Sequence, residues 1–383
     1  MSPRPVRLAL NRDAIKALRR GHPWVYRDGV RGSAPIGSHV VLTDSRDKVV
    51  AHGLFDAGVI AVRVLGLEQQ ELPGLIARRI QQADRFRFAV VGGETDTWRV
   101  INGAGDGLPG VVVDRYGALA VLRIYSKAWL PHMELLLKAI QGLPWIESIL
   151  RRFGVRSVDG KQGSEMLFGP DPGDGLVVVE HGVKLLVRPH HGQKTGLFLD
   201  QRENRRRVGE LSPGRRVVNL FGYNGGFSIY AALAGAARVE TVDIAAPALE
   251  DAKEIFRLNG IDPDRHAFVA TDVFKWTSKT QADLLICDPP SLTHGKSSDG
   301  AARRAYKDLA GKVGLQVAKQ GLLATASCTA RLDRGAWEQA IAEGLAASGP
   351  WSWLEGSGAP ADHPVSLAHS EGRYLKFAVL RRR

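Results

Sequence analysis

Through residues 187–383, strand-length apolar runs alternate with helical segments, the pattern of an α/β fold built as a doubly wound, Rossmann-like domain. Its core signal is RRVVNLFGYNGGFSIYAALAGA (215–236): a buried strand from Val217 to Phe221, a turn carrying Gly222, Gly225 and Gly226, and an Ala-rich helix. A second signal is the pair DLLICDPPSL (283–292) and GLLATASCTAR (321–331), apolar runs that each break at a reactive polar residue, Asp288 and Cys328. In an open α/β sheet ligands sit outside the carboxyl ends of the strands, so both side chains are expected to face one crevice. A third signal is that residues 1–70 are rich in short β-like pieces with turns between them, which predicts a small β-barrel ahead of the α/β parts.

In chain order, residues 12–20 predict a helix, followed by GHPWVY (21–26) and the strand-like SHVVLTD, VVAHGLF and VIAVRVLG. Of Trp24 and Tyr26, at least one is expected in the core. LPGLIARRIQQADRFRFAVV (72–91) has helical periodicity. Between 98 and 188 the pattern is strand, glycine turn, strand, helix (HMELLLKAIQGL) and further strands, with LPGVVVDRYG and ALAVLRIY forming a hairpin and no catalytic signature. The chain thus divides into 1–70, a small central α/β part at 71–186, and 187–383. In the last part, PALEDAKEIFRLNG sets Leu249, Ala252, Ile255 and Phe256 on one helix face and closes at Gly260. FVATDVFKW puts Asp272 at the end of a third strand. DHPVSLAHSEGRYLKFAVL reads as a loop and an edge strand, with Tyr374, Phe377 and Val379 at alternating positions or in the core.

The glycine turn and the acids after it predict a nucleoside-carrying cofactor. Glycines admit close backbone approach, and Asp243, 21 residues after Gly222, is spaced to accept hydrogen bonds from both hydroxyls of a ribose. The turn is G-x-x-G-G rather than G-x-G-x-x-G, which favours S-adenosylmethionine over a dinucleotide needing pyrophosphate contacts. Residues assigned to hold the donor are Asn219, Phe221, Gly222, Tyr223, Gly225, Asp243, Ile244, Asp272, Val273, Asp288 and Pro290.

The 383 residues include 52 Lys and Arg against 40 Asp and Glu, a net charge of +12 that suits a polyanionic partner; Arg-rich coding is the bland alternative. Arg202, Arg205 to Arg207, Arg215, Arg216, Arg303 and Arg304 flank the proposed crevice in sequence, as a phosphate-gripping rim would, and Arg381 to Arg383 are either part of it or a solvated tail. The chain opens with no charged-then-apolar leader and has no apolar stretch of membrane-span length, so a cytoplasmic protein is expected. Two cysteines and no Cys-x-x-Cys argue against disulfides and structural zinc. His190 and His191, as strand neighbours, face opposite sides and are not expected to share a metal; His191 is placed near the cofactor instead. Cys287, inside an apolar run, reads as core.

The stretches GQKTGLFLDQRENR (192–205), NLFGYNGGFS (219–228), ICDPPSL, ASCTAR and EGRYLKFAVL (371–380), with GHPWVYRDGV (21–30) and INGAGDGLPGVVVDRYG (101–117), resemble the bacterial large-subunit rRNA cytosine-5 methyltransferases that carry an N-terminal PUA domain. The resemblance covers nearly the whole chain, and GQKTG-LDQREN is its most specific stretch. It implies a PUA domain that grips structured RNA, a central α/β domain, a class I S-adenosylmethionine-dependent catalytic domain, 23S rRNA as substrate, and a homodimer. It also implies roles at or near the donor for Lys194, Phe198, Asp200 and Arg202.

Carbon 5 of cytosine is a poor nucleophile, so a group must first add to carbon 6, and a thiolate is suited to this as a strong nucleophile and a competent leaving group. Cys328 is the expected nucleophile, with Asp288 orienting the base or donating a proton toward its nitrogen 3. The base must leave any stack to arrive there. A second Cys often follows the motif proline in the broader RNA cytosine-5 methyltransferases; Ser291 stands here, which leaves the base that removes the carbon 5 proton unassigned. Ser291 also lacks the aromatic ring that stacks the base in amino-group methyltransferases with DPP. Two alternatives stay open: methylation of a ring nitrogen such as guanine N7, and a non-catalytic RNA-binding or assembly protein.

Overall fold

The computed structural model describes residues 5–292, 299–330 and 332–383; Arg331, the last residue of ASCTAR, lies outside them. The chain forms two compact units: Met1–Val179 with Val187–Leu199 and Ala361–Gly372, and Glu180–Leu186 with Asp200–Pro360 and Arg373–Arg383.

In the first unit a six-stranded sheet runs in the order Trp24–Tyr26, Ile60–Gly66, Val49–Phe55, His39–Thr43, Val6–Leu10, Val30–Arg31, with only the Val6–Leu10 and His39–Thr43 pair parallel. Leu8, Leu42, Phe55 and Val62 fill its interior. Neither Trp24 nor Tyr26 joins that core, contrary to expectation: Val25 between them is buried, and strand neighbours face opposite sides. Trp24 packs edge-on against His369 at 4.3 Å instead.

A five-stranded sheet follows, ordered Ser164–Phe168, Ser148–Arg152, Leu119–Ile124, Val111–Tyr116, Thr97–Asn102. Leu72–Val91 is a single helix, opened by a proline in its first turn and ended by Gly92 at φ 52°. Its Leu75, Ile76, Ile80 and Ala83 are buried with Trp129, Leu136 and Ile140 against the sheet. Ser126 Oγ donates to Asp56 Oδ2 at 2.6 Å, and His132 Nε2 lies 2.8 Å from the Gly37 carbonyl, which ties this sheet to the barrel-like one.

The second unit holds a seven-stranded sheet ordered Ala267–Ala270, Arg238–Asp243, Arg216–Leu220, Ala282–Cys287, Val317–Ser327, Lys376–Arg382, Trp351–Ser357. The first five strands are parallel, and Lys376–Arg382 runs antiparallel to both of its neighbours, Val317–Ser327 and Trp351–Ser357. The closing Lys376–Arg382 strand is therefore interior, not the expected edge. Its run Lys376 to Leu380 is buried on both faces, and Trp351–Ser357, partly exposed throughout, forms the edge. Helix residues Ala302, Tyr306, Leu309, Trp337 and Ile341 cover one face.

Glu203 accepts from His181 Nε2 and Arg202 Nε, each at 3.1 Å. The His181 hydrogen bond above all holds its carboxyl down to about 2. Its contribution to stability is complete above roughly pH 4.3, the ordinary carboxylate value, and is lost as pH falls toward about 2. His181→Ala should therefore flatten the acid limb of the stability–pH curve over that window in denaturant titrations; an unchanged limb would show the pair to be inert.

Candidate active site

The strand Arg216–Leu220 is flanked in parallel register by Arg238–Asp243 (Leu220 beside Val242) and by Ala282–Cys287 (Leu220 beside Cys287). The turn that follows Leu220 thus rises between Asp243 and Asp288. It is tightly wound: Phe221 (φ 57°) and Tyr223 (φ 47°) take the left-handed conformation, and a Cβ on Gly225 (φ 75°) would come 2.9 Å from that of Ala252. Gly225→Ala should therefore cost about 2 kcal/mol through left-handed strain and overpacking, read as a lowered midpoint in denaturant unfolding. A variant as stable as the parent would mean the turn relaxes freely.

Asp243 steadies this turn. Its Oδ2 accepts from Tyr223 N and its Oδ1 from Ala245 N, both at 2.9 Å, which leaves further lone pairs on each oxygen for hydroxyls. Beside it Ile244 is 73 % exposed and Phe274 53 % exposed, the latter edge-on to Phe221 at 5.9 Å, so apolar surface opens at the strand ends. Below, Asn219 is buried; its Nδ2 donates to Ser228 Oγ at 2.9 Å, and its Oδ1 has no hydrogen-bond partner among the described residues. Asp272 Oδ1 accepts from Phe274 N at 2.9 Å, while Val273 is buried in the core. An orphan buried acceptor, a carboxylate with spare lone pairs and open apolar faces fit a nucleoside with a polar tail. The structure thus gathers Asn219, Phe221, Gly222, Tyr223, Gly225, Asp243, Ile244 and Asp272 at one end of the sheet, with Pro290 exposed just beyond Asp288.

The reactive pair stands at the same end. Cys287 is in register with Thr325 of the neighbouring parallel strand, so Asp288 and Cys328 follow one and three residues beyond that rung. Both are half-buried. Asp288 Oδ2 accepts from Gln201 Nε2 at 2.9 Å; Gln201 is fixed by Asn204 Nδ2 at 2.5 Å, and Asn204 by Ser357 Oγ at 2.6 Å. Ser327 Oγ donates to Tyr306 OH at 2.9 Å, and burial, then the charges of Cys328 and Asp288, push the Tyr306 hydroxyl up. The Cys287 thiol is buried and pushed up by desolvation, an inert core group.

Lys194 and Phe198 lie in the first unit, the ammonium 4.5 Å over the ring, and Thr195 between them donates to Asp114 Oδ2 at 2.6 Å. Asp200 and Arg202 lie in the second. Both are buried; Tyr374 OH donates to Asp200 Oδ2 at 2.6 Å, and Arg202 pairs with Glu203. Of the arginine rim, Arg202 and Arg205 are buried, the latter against Glu180, and so leave it, whereas Arg207 and Arg303 are partly exposed and pair with Glu355 and Glu343. His190 and His191 turn to Asp171 and Asp174 in the first unit. Gln201, Phe274, Tyr306 and Lys376 escaped the sequence reading; Gln201 and Lys376 stood inside quoted motifs, but nothing local marks a polar residue that works through a distant partner.

Comparison with known proteins identifies the family. Residues 145–330 match the family model described as S-adenosylmethionine-dependent methyltransferase, and residues 8–66 match a PUA-like domain. A ribosomal RNA large subunit methyltransferase of Deinococcus radiodurans is 39% identical, with 98% of this chain and 97% of that protein covered. Ribosomal RNA large subunit methyltransferase I of Escherichia coli is 34% identical, with 97% and 98% covered. Among solved structures, a candidate methyltransferase from Streptococcus mutans superposes with a TM-score of 0.87 at 22% identity over 98% of this chain and all of the other, and a candidate methyltransferase complexed with S-adenosylhomocysteine gives 0.88 at 22% over the same shares. The chain therefore belongs to the S-adenosylmethionine-dependent methyltransferases of large-subunit ribosomal RNA, with a PUA-like domain ahead of the catalytic fold.

Proposed function

We propose that this protein forms 5-methylcytidine in 23S ribosomal RNA, with Cys328 as a covalent nucleophile. The observation that carries the reading is a half-buried thiol and a half-buried carboxylate leaving adjacent parallel strands at the sheet end that bears the glycine turn. Guanine N7 is nucleophilic already and needs no thiol there, whereas carbon 5 of cytosine does. Cys328 adds to carbon 6, and Asp288, held by Gln201 and carrying a proton, donates it toward nitrogen 3 as negative charge builds there. S-adenosylmethionine, held by the 219–226 turn, Asp243 and Asp272, supplies the methyl group as an electrophilic sulfonium that the activated carbon takes up. Loss of the carbon 5 proton then lets the thiolate depart, restoring the ring.

The test is to incubate the protein with labelled S-adenosylmethionine and rRNA from cells lacking the gene, and to identify the modified nucleoside by mass spectrometry. Label in 5-methylcytidine is the expected result. Label in 7-methylguanosine would overturn the cytosine assignment, and RNA carrying 5-fluorocytidine should trap a protein–RNA adduct only while Cys328 is present.

A further inference from the structure

One buried cation in the catalytic unit is unaccounted for by the assigned roles. Lys376 is 3 % exposed, yet its Nζ donates to the Thr329 carbonyl at 2.6 Å and the Tyr374 carbonyl at 3.1 Å, and no carboxylate accepts from it among the described residues. A buried ammonium without a counter-charge is costly, since carbonyl dipoles offset only part of its lost hydration. Its position is fixed from both sides of the nucleophile: Lys376 is in register with Ser327, directly before Cys328, and bonds to Thr329, directly after it.

We propose that the Lys376 ammonium is the counter-charge that keeps Cys328 as a thiolate before RNA arrives, a positioning and activating residue for the covalent step. The inference rests on the reading of Cys328 as nucleophile. The other groups around the pair favour the same assignment. Asp333 is committed to capping its helix, its Oδ1 accepting from Ala336 N at 2.7 Å, and Arg334 pairs with Glu338 at 3.5 Å. Tyr306, whose hydroxyl is pushed up in part by the charge of Cys328, offers the thiol no positive charge. Burial, then Arg334, loosens the lysine's proton, while Cys328 and Asp333 hold it, so ammonium and thiolate stabilise each other. The thiol proton leaves to solvent; the sulfur lone pair then forms the bond to carbon 6 and returns when that bond breaks.

The experiment is the pH dependence of iodoacetamide alkylation of Cys328 in the full-length protein, located by peptide mass, with Cys328→Ala as the blank for Cys287. In the wild-type protein the midpoint should lie below the ~8.5 of free cysteine; a midpoint at or above that value overturns the proposal without any variant. Lys376→Met should alkylate about tenfold more slowly near neutral pH and reach the parental rate at high pH, whereas Lys376→Arg, which keeps the charge, should follow the parent. S-adenosylmethionine affinity reports whether each variant is folded, and superimposable profiles for folded Lys376→Met and wild-type protein would overturn the proposal. Methyl transfer by Cys328→Ala would defeat the covalent reading itself, a separate result from the alkylation profile.

Discussion

Cys328→Ala is expected to lower methyl transfer to rRNA at least about a thousandfold, on the order of 4 kcal/mol in activation free energy, while leaving S-adenosylmethionine affinity within about twofold. The two effects separate because the turn at 219–226 and Asp243 are built from other strands and are braced by Ser228, Thr241 and backbone N–H groups. Deleting one sulfur leaves that bracing untouched. Single-turnover kinetics with saturating RNA, beside calorimetric titration of the cofactor, measure both. Activity within tenfold of the parent would eliminate covalent catalysis at carbon 6, and a collapse of cofactor binding would show that Cys328 is structural.

Arg205→Ala should be the most destabilising of the charge deletions. Arg205 Nε and Nη2 bind Glu180 Oε1 and Oε2 at 2.8 and 2.7 Å, and Tyr230 OH donates to the same Glu180 Oε1 at 3.0 Å, with Glu180 fully buried. Removing the arginine strands a carboxylate away from water, at a cost of about 3–5 kcal/mol. The double variant Arg205→Met with Glu180→Leu should recover most of that loss, since neither charge is then left alone. Denaturant unfolding of the single and double variants decides it. A loss under about 1 kcal/mol for Arg205→Ala would mean that water reaches Glu180 on deletion.

The same arginine shows where sequence reading stops. As one of four arginines within six residues it looked like a phosphate clamp, because composition records charge but not the distant acid that neutralises it. Glu180 stands 25 residues earlier, in a hairpin strand with no motif of its own. By contrast, the helix at 72–91, the glycine turn and the succession of acids at strand ends were legible, because each rests on local periodicity or on residues whose spacing mirrors a strand and its turn. The interior position of Lys376–Arg382 was not. An antiparallel strand at the end of a parallel sheet carries no local mark of its neighbours, and in the sequence only the unbroken apolar run Phe377 to Leu380 is compatible with two covered faces. Lys376 itself was hidden by the same fact, since its meaning depends on the register that sets it opposite Ser327.

That interior strand also bears on the order of events during synthesis. Residues 376–382 slot between two segments, 317–327 and 351–357, that leave the ribosome before them. Until they do, the 317–327 segment has an open hydrogen-bonding edge beside the thiol, and its cysteine has no neighbouring ammonium. A nascent chain can therefore assemble its cofactor turn early, but it completes the proposed reaction centre only once residues 376–382 have followed the two segments they join.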